Sequence, residues 1–421
     1  MNKQKKGLVP ELRFSEFLSN SGWETVYGNK AFEQISNKDH NSDLPILAIT
    51  QEYGAIPREM IDYNVSVTEK SVQSYKVVDV GDFIISLRSF QGGIEHSEYK
   101  GLCSPAYVIL RNKKGIDKRF FKQYFKTKSF IRDLTKNLEG LRDGKMISYK
   151  QFSEVLLPKP PTEEQQKIAD CLVSIDELIT LHTQKLAALR DHKQGLIQQL
   201  FPAEGESVPK LRFPEFRGKA GWAEKRFENI IKIISGKGFK ASEYASDGVR
   251  LIQIENVGYG VTNWTKDTVH LPDAYLAEYP ALVLHEGDIV LALNRPVTND
   301  QLKIARIGKL DSPSILYQRV GKLKIIGKAV LPDFAFHICR QFIRDFVIKK
   351  SIGSDQPFIS LRELYSQNIL IPTLDEQKMI AGILTCLDES IYCQTNKIEA
   401  LSLHKKGLVQ RIFPVMDDVV S

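Results

Sequence analysis

The chain is one module written twice, and that repetition limits its possible folds more than any single motif does. Val9-Pro-Glu-Leu-Arg-Phe-Ser-Glu-Phe17 recurs as Val208-Pro-Lys-Leu-Arg-Phe-Pro-Glu-Phe216, and Gly22-Trp23 recurs as Gly221-Trp222, each displaced by 199 residues. Glu164-Gln165, Ile168-Ala169, Asp176-Glu177, His192-Lys193, Gly195-Leu196 and Phe201-Pro202 recur 212 residues later, from Glu376-Gln377 to Phe413-Pro414. The second copy has gained a net 13 residues, all between its matching ends. Between the blocks only Gly81-Asp82 with Gly287-Asp288 and Ile147-Ser148 with Ile359-Ser360 align. A shared framework with divergent contents suits two units of one architecture and two different targets.

The later block is a helix. Apolar positions step 4, 3, 4, 3 through Ile168, Leu172, Ile175, Ile179, Leu186 and Leu189, and again through Ile380, Leu384, Leu387, Ile391, Ile398 and Leu401. This is a heptad seam, and these twelve residues are the expected helix-packing positions. His182 and Gln394, and Lys193 and Lys405, interrupt the two seams at matching heptad positions, where buried polar groups often fix register. Thr162 and Thr373, followed by acidic residues, are the expected N-caps, and Phe201-Pro202 and Phe413-Pro414 end the helices. A seam from 168 to 200 makes a rod of roughly 50 Å. Two equivalent rods in one chain are expected to pack on each other antiparallel, about a pseudo-two-fold axis, with a globular unit at either end; the alternative is two helices that each merely close their own domain.

Residues 24–155 and 223–368 mix strand and helix signals. Pro45–Ile49, Phe83–Ile85, Ala106–Leu110, Val249–Ile254, Ile289–Leu293 and Gly321–Ile326 read as strands. Helices are expected near Lys118–Leu134 and Asp333–Lys350. The fold class is therefore α+β, with strongly bent or barrel-like sheets. Polar loops at equivalent points carry Arg, Lys, Gln and Asn, the side chains suited to base edges and phosphates. The candidate DNA contacts are Arg88, Ser89, Gln91, Arg142 and Lys145 in the first copy, and Lys237, Lys240, Asn294, Arg295, Asn299, Gln301 and Gln356 in the second.

Composition sets the outer limits. A formal net charge of +7 fits either simple solubility or an anionic partner such as nucleic acid. Five scattered cysteines with no C-x-x-C pair suggest a reducing interior rather than disulfides or zinc. No apolar run approaches the ~20 residues that cross a bilayer, so a cytoplasmic, non-membrane protein is expected. There is no phosphate loop, no dinucleotide fingerprint around Gly236-Lys-Gly238, no H-E-x-x-H and no adenine-methyltransferase box. No catalytic group, metal or cofactor is expected.

This layout resembles the specificity subunits of type I restriction–modification systems. The residues that carry the resemblance are Val9–Phe17 and Val208–Phe216 before each unit, and Pro160–Gln165 and Pro372–Gln377 opening each helix. Gly81-Asp82, Arg88–Gly93 and Gly236–Phe239 also look like segments of such proteins. The resemblance implies target-recognition domains at 1–158 and 206–370 and spacer helices at 159–205 and 371–421. It implies a non-catalytic chain that reads a bipartite, asymmetric sequence in double-stranded DNA and docks two methyltransferase subunits. Those subunits bind S-adenosylmethionine and methylate adenine, and a separate ATP-dependent motor subunit cuts. The alternative is a coiled-coil scaffold whose globular units bind other proteins.

Overall fold

The computed structural model describes residues 7–61, 72–136, 147–264, 268–350 and 359–415. Its principal helices are α1 (Lys118–Tyr124), α2 (Lys128–Thr135), α3 (Thr162–Leu200), α4 (Pro332–Lys350) and α5 (Leu374–Ile412). Contacts divide the chain into two compact units: Met1–Gln184 with Asn396–Ser421, and Lys185–Thr395. The boundary falls inside both long helices. This division by contacts cuts across the four successive segments expected from sequence, because the two halves of α3 belong to different units.

The two helix starts differ in one respect from the caps expected of their sequences. Thr373 caps α5, its hydroxyl accepting from the Glu376 amide at 3.5 Å. In the first copy Pro161 holds that place, its carbonyl accepting from the Gln165 amide, and Thr162 already lies within α3. All twelve seam residues are buried or half-buried. The predicted helix over 118–134 breaks at Phe125, where Thr127 turns to accept from the Phe130 amide and cap α2.

In the first unit a four-stranded sheet runs in the order Phe32–Ile35, Val108–Asn112, Phe83–Ile85, Glu95–His96. Strand periodicity of two sorts its side chains. Phe83, Ile85, Val108 and Leu110 enter the main core with Phe120, Phe121, Phe125 and Phe130. Ile84 and Ile109 face the other way, against Leu47 and Val78 of two small strand pairs. The second unit repeats the plan on a larger scale. Ile289, Leu291, Ile304 and Leu323 of a five-stranded sheet face α4 and the start of α5. Val290, Ala292 and Ala305 face Ile252 and Leu316 of a four-stranded sheet. Among the described residues the sheets of each unit pack face to face through these side chains, and isolated bridges such as Lys237–Tyr317 and Ala55–Ser97 join them. The chain crosses from one sheet to the other between Ser314–Leu316 and Val320–Ile325, so Tyr317–Arg319 is a corner.

The two most faithful repeats lock into each other. Arg13 reaches Glu164 through a bidentate pair at 2.7 and 2.8 Å and spends its remaining donors on the Asn20 and Ser21 carbonyls. Arg212 does the same to Glu376 at 2.8 and 2.9 Å, with the Lys219 and Ala220 carbonyls completing the set. The next residue, Gln165 or Gln377, binds the loop before α1 or α4 through the Asp117 or Leu331 amide. Further along, Lys405 pairs with Asp176 at 2.7 Å within the first unit, and Lys193 pairs with Asp388 within the second. The lysine breaks in the two seams, Lys193 and Lys405, are therefore matched ion pairs between antiparallel helix segments.

Candidate nucleic-acid interface

Three loops of the second unit are pinned together at the corner between its sheets. The Gly236 amide donates to Val320 O at 3.1 Å, and the Gln318 amide donates to Lys237 O at 3.0 Å. The Leu293 amide donates to Arg319 O at 2.8 Å, and Leu293 O accepts from the Ile359 amide at 3.0 Å. Glycine is required at 236, since a Cβ there would lie 2.2 Å from Tyr317 O. This network brings Lys237, Asn294 and Arg295 to one edge. Lys237 and Arg295 are exposed and Asn294 is half-buried. Lys240, close by in sequence, is exposed as well, its amide donating to Glu243. Lys237 Nζ sits 4.0 Å over the Tyr279 ring and 2.7 Å from its hydroxyl, and that contact raises the lysine pKa.

Asn299 and Gln301 go elsewhere. They belong to a tight hairpin in which Thr298 pairs with Gln301 and Asn299 and Asp300 both have positive φ. This is a two-residue turn of the type that matches strand twist. The hairpin leans on α4, where Arg344 Nε donates to Asp300 O at 2.5 Å. Asn299 and Gln301 there line a cavity of about 730 Å³ with Lys193, His337, Arg340 and Asp388. Burial pushes the Lys193 amine down to about 8 and the His337 imidazole down to about 3.

In the first unit Arg88 and Gln91 are exposed at the equivalent strand end, on a one-turn helix over Ser89–Gly92. Ser89, the candidate between them, does not face solvent. It is 1% exposed, and its hydroxyl accepts from the Ser86 amide to close the turn. Gly93 closes that turn at φ 81°, and a Cβ there would meet Phe125 O at 2.0 Å. The corner residue Tyr107 is half-buried; burial raises its pKa, while Arg58 and Arg88 act on it as nearby positive charges. Arg142, Lys145 and Gln356 lie outside the described residues.

Gly81-Asp82 and Gly287-Asp288 are structural. Each glycine has positive φ, and each aspartate accepts from an amide three residues earlier and from a cation on a neighbouring strand. The segment Tyr317–Arg319 was not singled out by the sequence, yet it is the hub of the edge. Arg88, Arg295 and Arg319 have no carboxylate partner among the described residues, whereas Arg13, Arg111, Arg212, Arg306 and Arg340 all do. Among the described residues no cluster of His, Cys, Asp or Glu could hold a metal ion, and no helix is long and apolar enough to cross a membrane.

A duplicated α+β head, each copy presenting a cationic loop edge, defines a protein with two binding heads. The comparisons make the class specific. The profile of the type I restriction modification DNA specificity domain matches residues 24–191 and 219–403. The MjaVIII type I restriction enzyme specificity subunit of Methanocaldococcus jannaschii is 33% identical over 352 residues, 82% of this chain and 80% of that one. The EcoAI specificity subunit of Escherichia coli is 32% identical over 239 residues, 56% of this chain and 37% of that one. The solved S subunit from M. genitalium superposes with a TM-score of 0.62 at 15% identity, covering 97% of this chain and 100% of that one. The chain belongs to the type I restriction–modification specificity family.

Proposed function

We propose that this chain supplies the DNA address of a type I restriction–modification complex, each unit reading one half of a bipartite, asymmetric site. The observation that carries this is the repeated strand-end edge. In each unit the same topological position offers exposed arginine on loops anchored by backbone hydrogen bonds, while the loop residues differ. Lysine contacts to phosphate would give affinity, and arginine, glutamine and asparagine contacts to base edges the choice of sequence. The chain itself is non-catalytic. The long helices act as an antiparallel coiled-coil spacer related by a pseudo-two-fold axis, which the matched pairs Asp176–Lys405 and Lys193–Asp388 support. Methyltransferase subunits dock on this spacer. Leu178, Leu181, Ile383, Tyr392 and Leu403 support that role, since they stay exposed on the two helices outside the seam.

The test is selection from a randomised duplex library by the chain together with its methyltransferase subunits. A bipartite motif with a fixed gap is expected, and affinity should fall steeply from low to physiological salt because phosphate binding releases counterions. Enrichment of no motif, or binding indifferent to salt, would favour the protein-binding scaffold instead.

A further inference from the structure

We infer that Gln318 and Arg319 read bases for the second unit, as its specificity-determining pair; this rests on the DNA-reading function proposed above. The backbone around them is fixed on several sides. Tyr317 N donates to Ile252 O at 3.1 Å, Gln318 N to Lys237 O at 3.0 Å, and Arg319 O accepts from Leu293 N at 2.8 Å. The side chains are not so held. Both residues are exposed; among the described residues Arg319 has no carboxylate partner, and the Gln318 carboxamide, lying over Gly238, has one long 3.3 Å hydrogen bond to the Tyr317 hydroxyl.

Arg319 also has φ 66°, a left-handed backbone that glycine or asparagine adopts at less strain. Its side chain adds nothing to the core, so packing gives no reason for an arginine there. Arg295, on the adjoining loop, shares the feature with φ 46°. Strained, rigidly held residues with outward side chains are typical of recognition sites. A guanidinium fork matches the O6 and N7 of guanine, and a carboxamide matches the N6 and N7 of adenine. Pinning the backbone removes most of the ordering cost of presenting such groups. The first unit lacks this pair. Its corresponding corner, Ser104-Pro-Ala-Tyr107, carries no long polar side chain before the tyrosine, so the heads differ at the point that does the reading.

The test compares base preferences of the full chain, in complex with its methyltransferase subunits, on the randomised duplex library. Arg319→Asn suits the left-handed backbone, so thermal unfolding should be unchanged or slightly higher. It should lose discrimination by roughly 10- to 100-fold at one or two positions of one half-site, leaving the other half-site intact. Arg319→Lys keeps the charge without the fork and should lose the same preference. Gln318→Ala should relax a neighbouring position of that half-site. If both half-sites keep their bases in these variants, the assignment is overturned. That holds equally if binding weakens alike on every duplex, which would make Arg319 a phosphate contact. A wild-type complex that enriches no motif overturns the parent reading and this assignment with it, and is recognised by its failure before any substitution.

Discussion

His337 and Gln123 occupy the same place in the two copies, six residues beyond the Leu331 and Asp117 amides that bind Gln377 and Gln165. Gln123 donates to Asp176 at 2.9 Å. His337 donates to or accepts from Thr385 at 2.9 Å through Nε2, while its Nδ1 lies 3.8 Å from Asp388 Oδ2 without a hydrogen bond. Burial holds folded His337 neutral down to about pH 3, whereas the unfolded histidine takes a proton below about 6.5. The unfolded state therefore binds more protons in that window, and stability falls as pH drops through it. His337→Gln should remove this contribution, at most about 1.4 kcal/mol per pH unit, because a carboxamide takes up no proton in this range, and it can donate to Asp388 as Gln123 does to Asp176. Urea midpoints measured from pH 4 to 7 check it. A variant with the wild-type slope would refute the assignment of that slope to His337.

Between elements, the strongest joints are the buried pairs Arg13–Glu164 and Arg212–Glu376, which tie each entry segment to the first turn of a long helix. Their side chains are at most 7% exposed. Removing one member leaves a buried charge alone, so Arg212→Ala should destabilise the second unit by about 3–5 kcal/mol. Replacing both residues with apolar ones, Arg212→Met with Glu376→Leu, should restore most of that loss. Denaturant unfolding of both variants separates the cost of an orphaned charge from the worth of the pair. These joints also show what was legible in the sequence. The seams, one of the two helix caps and six of the strands could be read because periodicity and capping are local signals. Arg13 and Glu164 both lie in repeated segments, yet they are 151 residues apart, with nothing local to say that they meet. Tyr317–Arg319 was missed for a related reason: a sheet-switching corner has no period, and its importance lies in backbone partners from distant loops. Ser89 looks like a loop contact in the sequence, but its hydroxyl serves its own turn.

At the scale of the whole molecule, the sequence repeat and the structural unit are different divisions of the chain. The repeat runs head then helix. The compact unit takes a head, the near half of its own helix and the far half of the other copy's helix. Sequence comparison finds the first division because matching residues stand in order. It cannot find the second, which depends on antiparallel pairing across Asp176–Lys405 and Lys193–Asp388.

That division has a consequence for birth on the ribosome. Lys185–Thr395 is continuous, so everything the second unit needs has emerged once Thr395 is free. The first unit was begun earlier but is completed by Asn396–Ser421, and at 5–20 residues per second its open core waits about 10–40 s for that segment. Vectorial synthesis should therefore finish the later unit first. Chains released after Thr395 should show a protease-resistant fragment spanning Lys185–Thr395, with the head around Phe120 and Tyr124 still cleavable. Equal protection of both heads in those truncated chains would show that the incomplete head closes without its borrowed strut. During that interval the aromatic groups awaiting Phe413 are the surface a chaperone would meet.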